Sequence, residues 1–226
     1  ERIWRPLNNP LSVQTSSFFD KNPRGFGLFQ RDRDFQNYQD DGVFYEKRPS
    51  LWVEPLESWG EGAVQLVEIP TDYEIADNIV AYWVPRAPVS AGSPWNFKYR
   101  LFWTADDPYP APLGRVIATR LGRGGIAGTA SAPPHKTKIV IDFAGGPLEA
   151  LDKAASVQLM LNAGDGKIEN DYVLQVVGTK HWRAFFDIEA KNMNPVDIRA
   201  YLRLGDQALT ETWLYQYIPS YRTLLG

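Results

Sequence analysis

The 226-residue sequence has no cysteine, only two histidines and only two methionines. Without cysteine there is no disulfide framework, no thiolate nucleophile and no thiolate metal site. His135 and His181 stand far apart and no His-Glu-x-x-His pair exists, so no dedicated metal site is expected. No apolar run approaches the length of a bilayer span, so the chain is read as not membrane-spanning. A strong charge of one sign is also missing. Twenty-four Lys and Arg against 27 Asp and Glu leave a net charge of −3, which offers nucleic acid no basic footprint. There is no Gly-x-Ser-x-Gly elbow, although a Ser-His-Asp arrangement stays open. Gly122-Arg123-Gly124-Gly125 lacks the lysine and the preceding pattern of a phosphate-binding loop. Nothing implies a cofactor.

What is present is an ordinary globular composition, 44% hydrophobic and 23% charged, long enough to bury a real core. Tryptophan is uneven. Trp4, Trp52, Trp59, Trp83, Trp95 and Trp103 precede residue 110, and only Trp182 and Trp213 follow it. Between them lies Asp106-Asp107-Pro108-Tyr109-Pro110-Ala111-Pro112, a proline-rich stretch that stiffens a linker and removes ladder donors. A boundary there gives domains over 1–108 and 113–226.

The second part reads as short strands at 115–121, 137–143, 156–162, 169–177, 182–190, 196–204 and 208–218, separated by turn signals. That count and spacing suggest an immunoglobulin-like sandwich without its disulfide. A short helix is expected from Pro147. Trp213 and Tyr215, two apart on the last strand, share one face and point to the core. In the first part, residues 63–70 alternate as a strand with one buried face, whereas 78–85 are apolar on both faces and suit an interior strand. The chain opens on Glu-Arg-Ile-Trp, in what reads as the middle of a strand, and the expectation is a fragment of a longer protein.

With those reaction classes set aside, carboxylates and aromatics remain. Aromatic faces stack on sugar rings, and planar polar groups bind hydroxyls with defined geometry. The connection 71–77 carries Asp72, Glu74 and Asp77, followed at once by Asn78, Tyr82 and Trp83. Acids crowded in a cleft raise one another's pKa, and a carboxyl kept protonated can donate to a glycosidic oxygen. On composition alone the same segment is an ordinary solvated turn. Trp4 to Pro10, with Arg5 and Asn8, reads as a sugar-site wall or as core. Arg31-Asp32-Arg33-Asp34 reads as a polar cleft wall or as a surface ion-pair ladder of small energetic value. Arg48 and Trp52 either face ligand or belong to a proline-bounded edge strand.

Several of these segments carry a resemblance. IWRPLNNP, NPRGFGLFQRDRDFQNYQD, YEKRPSLWVEP, VQLVEIPT and DNIVAYWVP resemble the periplasmic glucan biosynthesis proteins of types G and D. RVIATRLGRGG and ALTETWLYQYIP look closer to type D. The resemblance covers essentially the whole chain. It implies an all-β architecture: the C-terminal part of a galactose-mutarotase-like β-sandwich, followed by an immunoglobulin-like β-sandwich. It also implies a periplasmic location and an activity similar to an inverting endo-β-1,2-glucanase acting on osmoregulated periplasmic glucan. The family's general acid is the aspartate directly before Asn-Ile-Val-Ala-Tyr-Trp, which is Asp77, with Glu74 as its support. Tyr82, Trp83, Trp52, Arg48, Arg5 and Asn8 become candidates for the cleft wall. The family's general base lies in a His-Asp-Ser-x-Gly stretch upstream of Trp-Arg-Pro-Leu-Asn-Asn, and this sequence contains no such stretch. The alternative function is a non-catalytic glucan-binding or assembly factor for a membrane glucosyltransferase.

Overall fold

The computed structural model describes residues 1–126, 128 and 135–219. Strands dominate: β1 (Ile3–Trp4), β2 (Gln14–Lys21), β3 (Phe26–Leu28), β4 (Ser50–Pro55), β5 (Glu61–Glu68), β6 (Ile79–Pro85), β7 (Tyr99–Thr104), β8 (Arg115–Arg123), β9 (Lys136–Ala144), β10 (Gln158–Asn162), β11 (Lys167–Gln175), β12 (Trp182–Glu189), β13 (Val196–Leu204), β14 (Gln207–Ala208) and β15 (Thr212–Tyr217). One four-residue helix, α1 (Phe35–Tyr38), and two 3-10 turns complete the described elements. The protein is all-β. It divides into two compact units, Leu7–Pro110 and a second made of Glu1–Pro6 with Ala111–Gly226.

The second unit is built from two sheets, one in the order β1-β15-β13-β10 with β14 beside β13, the other β11-β12-β9-β8. Strict alternation sends Ile139, Ile141 and Phe143 of β9, Ala184, Phe186 and Ile188 of β12, and Ile198, Ala200 and Leu202 of β13 into one shared core. Trp213 closes it, fully buried, stacked on Tyr215 at 5.3 Å and edge-on to Phe186 at 6.3 Å. Its indole N–H donates to Thr119 Oγ1 at 2.9 Å. Pro147 lies in the first turn of a 3-10 segment, Gly146–Ala150, rather than of an α-helix.

The segment expected as one strand over 208–218 is broken. Leu209, Thr210 and Glu211 are buried between β14 and β15, and the Glu211 carboxylate accepts the Val116 N–H at 2.7 Å. β1 adds to this unit as a parallel partner of β15, Ile3 opposite Thr212 and Trp4 opposite Trp213.

The Leu7–Pro110 unit holds two three-stranded sheets, β2-β5-β6 and β3-β4-β7. Trp59 lies between them in contact with Phe26, Trp83, Phe97 and Tyr99, at centroid separations of 5.3 to 6.5 Å. β6 differs from the interior strand expected of its apolar sequence. Among the described residues only β5 pairs with it, and Val80 and Tyr82 stand exposed.

Candidate functional site

The connection between β5 and β6, residues 69–78, is long for a hairpin but pinned at its base. Ile69 N–H donates to the Asn78 carbonyl at 2.9 Å, and Asn78 Nδ2 returns a bond to the Ile69 carbonyl at 3.0 Å. Thr71 folds the chain back, its hydroxyl accepting the Tyr73 N–H at 3.0 Å. Asn9 pairs with Thr71 reciprocally: its Nδ2 donates to the Thr71 carbonyl at 2.8 Å and its Oδ1 accepts the Thr71 N–H at 3.1 Å. One residue earlier, the Asn8 N–H donates to Glu68 Oε1 at 2.5 Å. Glu68 is 1% exposed, a carboxylate sunk at the end of β5 and tied to the segment that crosses it.

A third tether reaches the crest of the loop. The Tyr45 hydroxyl donates to Glu74 Oε1 in a short hydrogen bond. This bond, more than any other influence, holds the phenol's pKa above its ordinary value. The Arg48 guanidinium lies over the Tyr45 ring, 4.9 Å from its centroid. Arg33 shapes this neighbourhood from below, donating to the carbonyls of Glu46, Arg48 and Ala105 and to Ser50 Oγ at 2.8 to 3.2 Å. Its charge serves backbone acceptors rather than an ion-pair ladder. Asp34 caps α1 by accepting the Gln36 N–H at 2.9 Å.

Asp77 is exposed, and no hydrogen bond or ion pair from the described residues reaches its side chain. Its carboxyl is therefore open to a ligand from solvent. Glu74 is exposed as well, and its bond goes to Tyr45. The expected wall residues separate into groups. Asn8 lies against the loop base through Glu68, and Arg48 reaches the loop through Tyr45. Tyr82 and Trp83 are consecutive on β6 and so face opposite sides of the sheet. Tyr82 is exposed and donates to Gln65 Oε1 at 2.8 Å. The Trp83 ring covers Gly62, where an added Cβ would sit 2.5 Å from it.

Trp52 packs edge-on to Phe29 at 5.8 Å and lies on Gly25, whose φ of 154° and lack of a Cβ permit the approach. Arg5 belongs to the other unit and donates to the Pro6 carbonyl. Sequence reasoning missed Tyr45, Asn9 and Glu68. A carboxylate within Leu66-Val67-Glu68-Ile69 signals a buried acid that needs a partner, whereas nothing local marks the Tyr45–Glu74 contact.

Among the described residues, no cluster of acids and histidines suits a metal ion, and no helix is long and apolar enough to cross a membrane. Residues 1–217 match the family described as periplasmic glucan biosynthesis protein, MdoG. The chain is 57% identical to glucans biosynthesis protein D 2 of Ralstonia nicotianae over 97% of its own length and 41% of that protein. It is 50% identical to glucans biosynthesis protein D of Xanthomonas oryzae pv. oryzae over 97% of the chain and 42% of that relative. It is 46% identical to the probable glucans biosynthesis protein D of Shewanella oneidensis, again over 97% of the chain and 41% of the relative. The chain thus spans about two-fifths of the length of these curated relatives.

Proposed function

The chain belongs to the periplasmic glucan biosynthesis protein MdoG family, and from that membership we propose that it acts in the periplasm as part of an inverting endo-β-1,2-glucanase. Asp77 is its general acid. The observation that carries this reading is the contrast within one loop: the flanking residues are fastened by Asn9, Tyr45 and Asn78, while the Asp77 carboxyl has no partner among the described residues. Firm support around an unengaged carboxyl suits a group that must meet substrate in a fixed place.

In an inverting mechanism the protonated Asp77 gives its proton to the leaving glycosidic oxygen. A second carboxylate removes a proton from a water that attacks the anomeric carbon from the opposite face, the two carboxyls standing roughly 6.5–9.5 Å apart. The second carboxylate comes from polypeptide outside this sequence. Glu74, fixed by Tyr45, holds the crest of the loop that carries Asp77 three residues further on. Arg48 supplies a planar donor for sugar hydroxyls next to the Tyr45 ring.

The test is release of reducing ends from linear β-1,2-glucan by the full-length protein and by Asp77→Asn. Loss of the general acid lowers the rate by about 10²-fold or more. Equal rates would remove Asp77 from the role. Glucan binding by both proteins with hydrolysis by neither would favour a binding or assembly factor that serves a membrane glucosyltransferase.

A further inference from the structure

Two β-bulges on opposite edges of the β11-β12-β9-β8 sheet act on one patch. On β8, Val116 opposes Phe143 but Ala118 opposes Asp142, so one extra residue is inserted. On β11, Glu169 opposes Asp187 but Tyr172 opposes Phe185, again one residue too many. A one-residue slip reverses which side chains face the core. Without the insertions, Arg120 and Tyr172 would fall opposite Ile139 and Ala184 and point inward. With them, Arg120 stands opposite Val140 and Tyr172 opposite Phe185, both on the outer face. The second bulge is anchored: Asn170 adopts φ 51° and donates to Asp187 Oδ2 at 2.8 Å, a carboxylate only 1% exposed.

The two bulges flank an assembled surface. Tyr172 stacks on Phe185 at 4.5 Å and 13°, yet stays 47% exposed. Arg183 lies 6.0 Å from the Phe185 centroid and grips Asp142 with two bonds, Nε to Oδ1 at 2.5 Å and Nη2 to Oδ2 at 2.8 Å. Arg120 Nη1 adds a third at 2.7 Å. Burial alone would raise the Asp142 pKa, but the two guanidiniums hold it below the usual carboxylate range. One carboxylate thus orients two guanidiniums, and the N–H groups it does not use are left on the outer face that also carries Phe185 and Tyr172.

We propose that this outer face is a second saccharide-contact surface, taking one glucose ring of a linear glucan on Tyr172 and, further along the same glucan, the hydroxyls of another ring on the spare N–H groups of Arg183 and Arg120. The inference rests on reading the chain as glucan-handling. The chemistry favours a sugar over a protein. An exposed aromatic ring on β11 and pre-oriented planar donors around Asp142 of β9, on the same face of the sheet, match successive rings of a glucan, each with an apolar face and a hydroxyl rim. A stable protein interface needs about 800 Å² per partner around an apolar centre, and here the centre is an ion triad.

The experiment is NMR titration of the 226-residue chain with linear β-1,2-glucan oligosaccharides. Signals of Tyr172, Phe185 and the Arg120 and Arg183 side chains shift on binding. Tyr172→Ala weakens that event by about threefold to tenfold, in line with the worth of one aromatic stack, while Tyr172→Phe keeps it. Unchanged core resonances in Tyr172→Ala show that the fold is intact. Shifts in 71–78 with none at Tyr172 and Phe185 overturn the second surface and leave the Asp77 reading standing. Shifts at Tyr172 with none in 71–78 support the surface and count against Asp77. No shift at either removes both. A patch that responds to a protein partner but not to glucan overturns the saccharide assignment.

Discussion

The hydroxyl of Tyr45 and the carboxylate of Glu74, 29 residues apart, share a hydrogen bond that fastens the crest of the β5–β6 connection to the 3-10 turn at Tyr45–Lys47. Asp77 lies three residues further on, so whatever fixes Glu74 narrows the positions open to the acid.

Tyr45→Phe removes the donor but keeps the ring beneath Arg48. Amide exchange over residues 71–78 becomes faster while the melting temperature stays close to wild type, because the contact is local and exposed. The phenol's pKa is raised in the folded protein. The tether is therefore complete below the ordinary tyrosine pKa of about 10 and is lost only as pH rises past the raised value. Difference absorbance between wild type and Tyr45→Phe shows this late-ionising tyrosinate. Ionisation in step with free tyrosine would exclude the bond.

A second expectation concerns acid. Lys136 first, and then Lys167, donate to Glu169 and bring its carboxyl down to about 2. A depressed carboxylate pKa stabilises the fold above its unfolded value, and this contribution disappears as pH falls through the folded one. Glu169 should stay charged from neutral pH to near 2, the support fading between 4.5 and that point. Carbon-detected NMR titration of the side chain measures it, and Lys136→Met with Lys167→Met returns the midpoint toward 4.5.

Thr119→Val tests the core of the second unit. The substitution is nearly isosteric but leaves the fully buried Trp213 without its acceptor. The cost is about 1–3 kcal/mol, that of a buried donor left unsatisfied, read from urea unfolding. An unchanged midpoint would mean that the indole finds another acceptor.

Much of the fold was legible because local patterns carry it. Ile139-Val140-Ile141-Asp142-Phe143 alternates cleanly and becomes β9, and the Trp213 and Tyr215 spacing places both rings on one face. What escaped depends on partners distant in sequence. The bulges at Ile117 and between Glu169 and Tyr172 reverse parity in mid-strand, which an alternation pattern does not announce. The break at Leu209–Glu211 depends on a bond to Val116. Asp77 was singled out only by the resemblance of its motif to a family pattern, and Tyr45 and Asn9, which fix its loop, meet that loop only through the fold.

The pairing of β1 with β15 sets an order of events. Glu1 Oε1 accepts the hydroxyl of Thr212, 211 residues away in sequence, and Ile3 and Trp4 lie alongside Thr212 and Trp213. Contacts of such separation form late, since the loop they close is costly in entropy. During N-to-C synthesis every residue of the Leu7–Pro110 unit emerges before β15 does. Within this sequence β1 therefore meets β15 only after all the intervening strands have been made. Its docking on β15 closes a contact between stretches of one unit that the sequence separates by the whole of Leu7–Pro110, a dependence that no local pattern carries.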